Sequence, residues 1–249
     1  MKALTAYVLH RWDWSESSLI LDVWTREQGR IAVAAKGAKR PHSNLRAVLL
    51  PFQRLWVTLG RAPEGEAAEV RNLRGAEWAG GPPMLAGAAL FSGFYLNELL
   101  MKLLQRQDPH PVLFDAYAAT VVTLSEADDV AAEGALRAFE LTLLKEIGLL
   151  PDLSVATLTQ RPVEDGRRYA VLAEVGVAEP RHGDHDLAGT TLIGLQAALE
   201  HGSLAALQQA CAAALPELKA ILRSQLHYHL GAPSLRTRQV MVEAQNLER

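Results

Sequence analysis

The sequence predicts an α+β protein in which a small β-barrel precedes a mainly α-helical domain. Three observations support this prediction. Apolar and polar residues alternate with the period of a strand as far as about residue 74, and beyond residue 84 the apolar period is that of a helix. Between the two patterns lies Gly80-Gly81-Pro82-Pro83, which interrupts both kinds of element. We therefore expect a barrel domain at residues 1–79 and a helical domain at residues 80–249.

Composition sets limits on the class of protein. With 249 residues, 49% of them hydrophobic and 21% charged, the chain can bury a substantial core. Cys211 is the only cysteine, so an internal disulfide and a paired-cysteine zinc site are excluded. The first residues lack a secretory signal pattern, and the longest apolar run, Met84–Leu96, is too short to cross a hydrocarbon layer of about 30 Å. We expect a cytoplasmic protein without a membrane partner.

Five short strands are predicted in the first domain. The first three alternate around the apolar positions Leu4, Ala6 and Val8, then Leu19, Leu21 and Val23, then Ile31, Val33 and Ala35. The fourth follows Pro51, with Leu55, Val57 and Leu59 on one face and Arg54, Trp56 and Thr58 on the other. A less regular fifth strand is predicted at residues 68–74. Five strands in about 75 residues, with a long loop after the third, favour a five-stranded OB-fold barrel, and an SH3-like barrel is the alternative.

The second domain is predicted to be mainly helical. Apolar residues at helical spacing place helices at Met84–Gln107, Val112–Ser125, Val130–Ile147, Leu192–Glu200, Leu204–Ala214, Pro216–Leu230 and Leu235–Gln245. The first of these is expected to be the centre of the helical domain. Residues 151–189 form an irregular segment without zinc-binding cysteines, in which a hairpin through Gly166 is expected to join Val163 to Tyr169–Leu172.

Positive charge is concentrated in the first domain. Residues 1–62 contain ten basic and four acidic residues, a net charge of +6, although the whole chain carries −3. No acidic residue occurs between Glu27 and Glu64. Residues 36–46, which we call the basic loop, contain Lys36, Lys39, Arg40, His42 and Arg46. A long segment of one sign predicts an anionic partner.

Short segments in a particular order carry a further signal. In the first domain they are Ala6–His10, Trp14–Leu19, Leu21–Val23, Ala34–Ala38, Pro51–Phe52 and Leu73–Arg74. In the helical domain they are Tyr95–Leu100 and Leu136–Glu140. None is diagnostic alone, but together they resemble the RecO family of bacterial recombination mediators. The resemblance is close over residues 2–148 and loose beyond them.

The resemblance implies a role in DNA repair. It implies an N-terminal OB-fold, a helical C-terminal domain, and binding to single- and double-stranded DNA. It also implies annealing of complementary strands and partnership with RecR and with single-stranded-DNA-binding protein, so that a recombinase is loaded onto DNA. Such a protein would be associated with the nucleoid.

Enzyme motifs are missing from the sequence. It contains no phosphate-binding nucleotide loop, no serine-hydrolase elbow and no zinc-protease helix. We therefore expect no enzyme activity and no cofactor. Two alternatives to a DNA-binding mediator are an adaptor whose basic barrel binds an acidic partner protein and an RNA-binding OB-fold protein.

The basic loop and its neighbours are the predicted DNA contacts. Long cationic side chains on a flexible loop can each neutralise a phosphate and release a condensed counterion. An exposed aromatic ring can stack on a base. The predicted DNA-binding residues are Lys36, Lys39, Arg40 and Arg46, then Arg30 and Arg54, with Arg11 and Trp12. Trp24 and Trp56 are expected instead to seal a contact with the helical domain.

A second site is predicted on the helix at Val130–Ile147. Arg137, Leu141 and Lys145 recur on one face, and two cations around a leucine suit an acidic peptide that ends in an apolar residue. The family resemblance implies that the tail of single-stranded-DNA-binding protein binds this domain. The alternative is that Arg137 only pairs with Glu133 one helical turn away. A further basic stripe, Lys219, Arg223 and His227, is expected to be a solvated helix face.

A metal site is not expected. His182, Asp184 and His185 lie close together in the sequence, but no second cluster occurs at ligand spacing. Some members of the family hold zinc with cysteines in this region, and this sequence has none there. We expect a polar loop.

Overall fold

The computed structural model describes residues 3–61, 70–231 and 235–247. The chain divides into two compact units, one formed by Met1–Ser125 with Val240–Arg249 and the other by Glu126–Gln239. The first unit contains the barrel together with the two helices that follow it. The helix that begins near residue 87 therefore packs with the barrel, whereas we expected it at the centre of a separate helical domain.

The first unit is built on a closed five-stranded barrel with the strand order β1-β2-β3-β5-β4. The strands are β1 (Leu4–Asp13), β2 (Leu19–Thr25), β3 (Gly29–Ala35), β4 (Leu55–Leu59) and β5 (Val70–Trp78), and a short helix α1 (Asn44–Val48) follows β3. Neighbouring strands are antiparallel except β3 and β5, which are parallel. This is the arrangement of the OB-fold, and the predicted fold class is confirmed.

The barrel core confirms the predicted alternation. Inward-facing residues such as Val8, Leu21, Val33 and Leu55 are completely buried. The fifth strand extends to Trp78, beyond the predicted end at residue 74, and residues 68 and 69 of the prediction lie outside the described residues.

Strand register defines the two ends of the barrel. Leu19 at the start of β2 lies opposite both Asp13 at the end of β1 and Ala35 at the end of β3. The β1–β2 hairpin and the segment after β3 therefore share one end, which we call the hairpin end. The turn between β2 and β3 lies at the opposite end, where Arg30 is opposite Trp24.

Two helices, α2 (Gly87–Leu103) and α3 (Pro111–Glu126), follow the barrel. Trp24 on the outer side of β2 is fully buried, with its ring centroid 5.1 Å from that of Phe114 and 5.6 Å from that of Tyr117. Tyr117 donates a hydrogen bond of 2.6 Å to Asn97, which in turn donates one of 3.0 Å to the carbonyl oxygen of Leu9. The prediction that Trp24 seals a contact with helices is confirmed.

The second unit combines helices with small sheets. Its elements are α4 (Asp129–Glu146), β6 (Val155–Ala156), β7 (Arg161–Pro162), β8 (Arg168–Leu172), β9 (Gly176–Ala178), β10 (Asp186–Ala188), α5 (Gly189–His201), α6 (Leu204–Ala212) and α7 (Leu215–Leu230). A last helix, α8 (Arg236–Leu247), ends the described chain. Helix α4 packs against α6 and α7. Cys211 on α6 is fully buried, and its burial raises the pKa of the thiol to about 12.

The irregular segment differs from the prediction in its strand pairing. Strand β8 is the central strand of a three-stranded sheet with β9 and β10, whereas β7 pairs with β6. The turn at Gly166 is present, since Arg167 donates a backbone hydrogen bond of 3.1 Å to Glu164. Val163, however, donates its backbone hydrogen bond to Ser154, so it is not available to Tyr169–Leu172, and the predicted hairpin is wrong.

The other helices agree with the prediction to within a few residues. Within the described ranges, no helix has the length and apolar character needed to span a bilayer.

Candidate nucleic-acid interface

The basic loop lies at the hairpin end of the barrel. Its first turn is closed by a hydrogen bond of 3.1 Å from the backbone N–H of Arg40 to the carbonyl oxygen of Gly37. Gly37 has φ +73°, a left-handed conformation that favours glycine at this turn. Lys36 and Arg40 are exposed, and so is Arg46, which lies on α1 rather than in a loop. The structure thus brings three of the four first-ranked cations to one end of the barrel with their charges in solvent.

Lys39 has different surroundings. Its ammonium group donates a hydrogen bond of 3.0 Å to the carbonyl oxygen of Ser15 and lies 3.2 Å from a carboxylate oxygen of Asp13. Its backbone N–H donates to the carbonyl oxygen of Ser17 at 3.0 Å. Lys39 therefore joins the basic loop to the β1–β2 hairpin. We predicted it only as a phosphate contact.

The tip of the β1–β2 hairpin, Trp14–Ser18, is a tight loop. The backbone N–H groups of Trp14 and Ser15 both donate to the carbonyl oxygen of Ser18. Trp12 is 41% exposed and its ring meets that of His10 edge-on at 4.5 Å, whereas Trp14 is 56% exposed. Trp14 was not among our predicted contacts. The sequence signal that could have identified Trp14 is its position two residues after Trp12, which itself follows Arg11.

Arg54 lies just before β4 and is exposed. Its charge favours ionisation of the nearby Tyr7 phenol, but burial of the ring has the larger effect and raises the pKa of Tyr7 to about 12. Trp56 is 51% exposed on the outer face of β4, between Thr5 and Glu77 on the neighbouring strands. The expectation that Trp56 seals a contact with helices is wrong.

Arg30 is not part of this surface. Its side chain is only 7% exposed and pairs with Asp22 at 2.8 Å, and it lies at the end of the barrel opposite the hairpin. The remaining donor, Nη1, donates to the carbonyl oxygens of Leu100, Met101 and Leu104 at the end of α2. A cation at a helix C-terminus stabilises the carbonyl groups that have no partner within the helix. The prediction that Arg30 contacts phosphate is therefore wrong.

The remaining predicted cations carry unmatched charge. Within the described residues, five of these side chains make no hydrogen bond or ion pair: Arg11, Lys36, Arg40, Arg46 and Arg54. Four of them lie in the hairpin, the basic loop or α1, and Arg54 precedes β4. The four cations in the hairpin, the basic loop and α1 form a group that attracts a polyanion, whereas Arg54 adjoins Leu55, which is opposite Ala6 near the start of β1.

Two of the three residues predicted on the face of α4 are buried, and the third, Lys145, is exposed. Leu141 is 2% exposed, and Arg137 is 9% exposed, with a 2.8 Å ion pair to the buried Glu140. Lys145 donates a hydrogen bond of 2.7 Å to the carbonyl oxygen of Leu199. Because side chains of α4 pack within the unit, the prediction that these three residues form an open peptide site needs correction. The alternative pair is also absent, since Glu133 contacts Lys219 at 2.7 Å instead of Arg137.

The segment around His182, Asp184 and His185 contains a turn. Asp184 accepts a hydrogen bond from the backbone of Arg181, which closes a turn. Across the described part of the chain, no group of three or more histidine, cysteine or carboxylate side chains could hold a metal ion.

Comparison with known proteins identifies the family. Residues 1–79 match the family model described as Recombination protein O N terminal, and residues 84–239 match Recombination protein O C terminal. This chain belongs to the RecO family.

Relatives of the family align along nearly the whole chain. The DNA repair protein RecO of Polaromonas naphthalenivorans (strain CJ2) is 53% identical over 244 residues, covering 97% of this chain and 96% of the relative. Those of Verminephrobacter eiseniae (strain EF01-2) and Delftia acidovorans (strain DSM 14801 / SPH-1) are each 50% identical, with the same two coverages. Membership of the RecO family supports a role in DNA repair and recombination.

Proposed function

We propose that this RecO-family chain is a non-enzymatic DNA-binding protein of recombinational repair. It binds single- and double-stranded DNA, anneals complementary strands, and helps load a recombinase onto DNA coated by single-stranded-DNA-binding protein. RecR and single-stranded-DNA-binding protein are its proposed partners. The observation that carries the proposal is the group of exposed, unpaired cations Arg11, Lys36, Arg40, Arg46 and Arg54 in a chain of this family.

Physical chemistry explains how such a surface can act without catalysis. Each cation that meets a phosphate releases a condensed counterion, and the gain in mixing entropy falls as salt rises. Phosphate contacts carry no base sequence, so binding tolerates any sequence. Annealing requires that the repulsion between two strands be neutralised while they are held close together, and it forms no covalent bond.

Salt titration of binding to a labelled single-stranded oligonucleotide tests the proposal. We expect the logarithm of the binding constant to fall with the logarithm of salt concentration with a slope of about −3 to −5, as for ~4 to 7 neutralised phosphates. The double variant Lys36→Glu/Arg40→Glu should weaken binding and make the slope less negative. Arg161→Glu, an exposed charge reversal in the second unit, is the matched control and should leave both unchanged.

Other outcomes of this titration would contradict the proposal. A flat salt dependence together with binding of an acidic partner protein would indicate the adaptor class. A clear preference for RNA over DNA of the same sequence would indicate an RNA-binding protein. Strand annealing measured with complementary labelled oligonucleotides, and co-purification with RecR, test the finer parts of the function.

A further inference from the structure

We propose that the tip of the β1–β2 hairpin stacks unpaired bases through Trp12 and Trp14, and that Lys39 is the positioning residue that holds this tip beside the basic loop. The inference rests on the proposed DNA-binding function. It names the preferred ligand of the site as a strand whose bases are unpaired.

Exposure of the two tryptophans is the first observation. Trp12 and Trp14 are two residues apart, and each leaves about half of its surface in solvent. Neither side chain belongs to the buried core of the barrel. An indole ring offers a large flat face on which any base can stack, with a contribution of about 1 to 3 kcal/mol per base. The faces of bases are covered by neighbouring bases in a duplex and open in a single strand. Stacking therefore favours single strands without reading sequence.

Hydrogen bonds between the hairpin and the basic loop are the second observation. Lys39 contacts the hairpin three times: through its ammonium group to Ser15 and Asp13, and through its backbone N–H to Ser17. Ser18 accepts a further hydrogen bond of 3.4 Å from the backbone N–H of Gly37. The tip that carries Trp14 is thus attached directly to the segment that carries Lys36 and Arg40. Stacking and charge neutralisation can act on the same short piece of strand.

Charge around the tip is mixed, since the exposed Glu16 lies in the tip itself and Asp13 lies at its base. Asp13 is the acidic residue at the end of β1, and its carboxylate is matched by Lys39. Loss of the Lys39 ammonium group would therefore remove a restraint on the tip and would also leave the Asp13 carboxylate unpaired next to the bases. This double effect distinguishes Lys39 from Lys36, whose ammonium group is free for a phosphate.

Trp56 provides a comparison on the same barrel. It is exposed to nearly the same degree as Trp14, but lies on the outer face of β4 with the acidic Glu77 opposite on β5. It is opposite Thr5 on β1, seven residues before Trp12, which corresponds to roughly 20 Å along a strand. Trp56 is therefore a matched control for loss of an exposed indole.

The experiment measures affinities of the full chain for a single-stranded oligonucleotide and for the corresponding duplex. Trp14→Ala and Trp12→Ala should each weaken single-strand binding by about 5- to 150-fold, the equivalent of about 1 to 3 kcal/mol. Duplex affinity should change by less than about twofold. The salt slope should not change by more than the experimental error. Trp14→Phe should recover part of the loss, since it keeps an aromatic face. Trp56→Ala should behave as the unchanged protein.

A second measurement tests the positioning role of Lys39. The double variant Lys39→Met/Asp13→Asn, which removes the restraint without leaving an unpaired carboxylate, should weaken single-strand binding without changing the salt slope, because the ammonium group neutralises Asp13 and not a phosphate. Lys36→Met should make the slope less negative by about 0.7, the value for one single-strand phosphate. Equal slope changes for both variants would overturn the role assigned to Lys39.

The outcomes separate this inference from the proposed function. If the unchanged protein binds single strands with the expected salt slope but the tryptophan variants retain full affinity, or lose duplex and single-strand affinity equally, the inference fails and the function stands. If the unchanged protein binds no nucleic acid, the proposed function fails with it. Loss of binding to a partner protein instead of DNA in Trp14→Ala would also overturn the inference.

Discussion

At the scale of single residues, the position of a charge decides its role. Arg30 and Lys36 belong to the same basic segment, and sequence alone predicted both as DNA contacts. In the structure, Arg30 is buried against Asp22 and the end of α2, whereas Lys36 is exposed. The difference follows from the position of α2, which begins more than fifty residues later and which no local pattern around Arg30 reveals.

Removal of Arg30 should therefore affect stability. Arg30→Ala leaves three carbonyl groups at the end of α2 without this donor and leaves Asp22 with Arg106 alone, at 3.2 Å, and loss of one member of a buried pair costs up to about 3 to 5 kcal/mol. Urea unfolding followed by circular dichroism should show this loss. Arg26→Ala removes an exposed pair with Asp115 and should change stability little. Equal effects of the two variants would contradict the structural role of Arg30.

At the scale of elements, periodicity predicted long elements well and short ones poorly. The alternation of β1 to β4 and the helical spacing of α2 to α7 are repeated several times, so each signal is strong. Strands of two or three residues, such as β6 and β9, contain less than two periods and were missed. Pairing of β8 depends on β9 and β10, which periodicity around Gly166 could not identify.

The candidate site could also be predicted only in part from the sequence. Exposure of Lys36 and Arg40 was predictable from a segment without acidic residues. The attachment of Lys39 to Ser15 was not, because the two residues are brought together by the pairing of β2 with β3.

The β2–β3 turn gives a prediction at this scale. Gly29 has φ +68°, and a Cβ atom at this position would lie within 2.2 Å of the carbonyl oxygen of Asp108 in the loop between α2 and α3. Gly29→Ala should therefore lower the free energy of unfolding by more than about 1 kcal/mol, since it combines backbone strain with a backbone clash. Gly75→Ala on β5, where no atom lies within 4 Å of the added Cβ, is the control. Urea unfolding that shows no difference between these variants would contradict the contact.

At the scale of the whole molecule, buried acidic groups couple folding to high pH. Burial raises the pKa of Tyr7 and of Cys211 to about 12, and it raises that of Tyr117 well above its ordinary value. The groups occur in both compact units. The folded chain thus retains protons that the unfolded chain releases, so their contribution to stability is complete below the unfolded pKa values and is lost as pH rises.

Alkaline unfolding should follow from this coupling. Above pH 10.0, the ordinary pKa of tyrosine, the free energy of unfolding should fall by up to about 1.4 kcal/mol per pH unit for each buried group. Urea unfolding at intervals between pH 8 and pH 11 measures this slope. Tyr7→Phe should make the decline above pH 10 less steep, and an unchanged decline would show that the phenol ionises without penalty.

The burial of Cys211 has a practical consequence for work on this protein. Maleimides react with thiolates that they can reach, and the natural sulfur offers neither ionisation nor access under ordinary labelling conditions. A cysteine introduced at an exposed site such as Ser15 would therefore accept a single dye with no need to replace the natural one. A fluorophore placed in this way could report directly on each encounter between the barrel and its ligand.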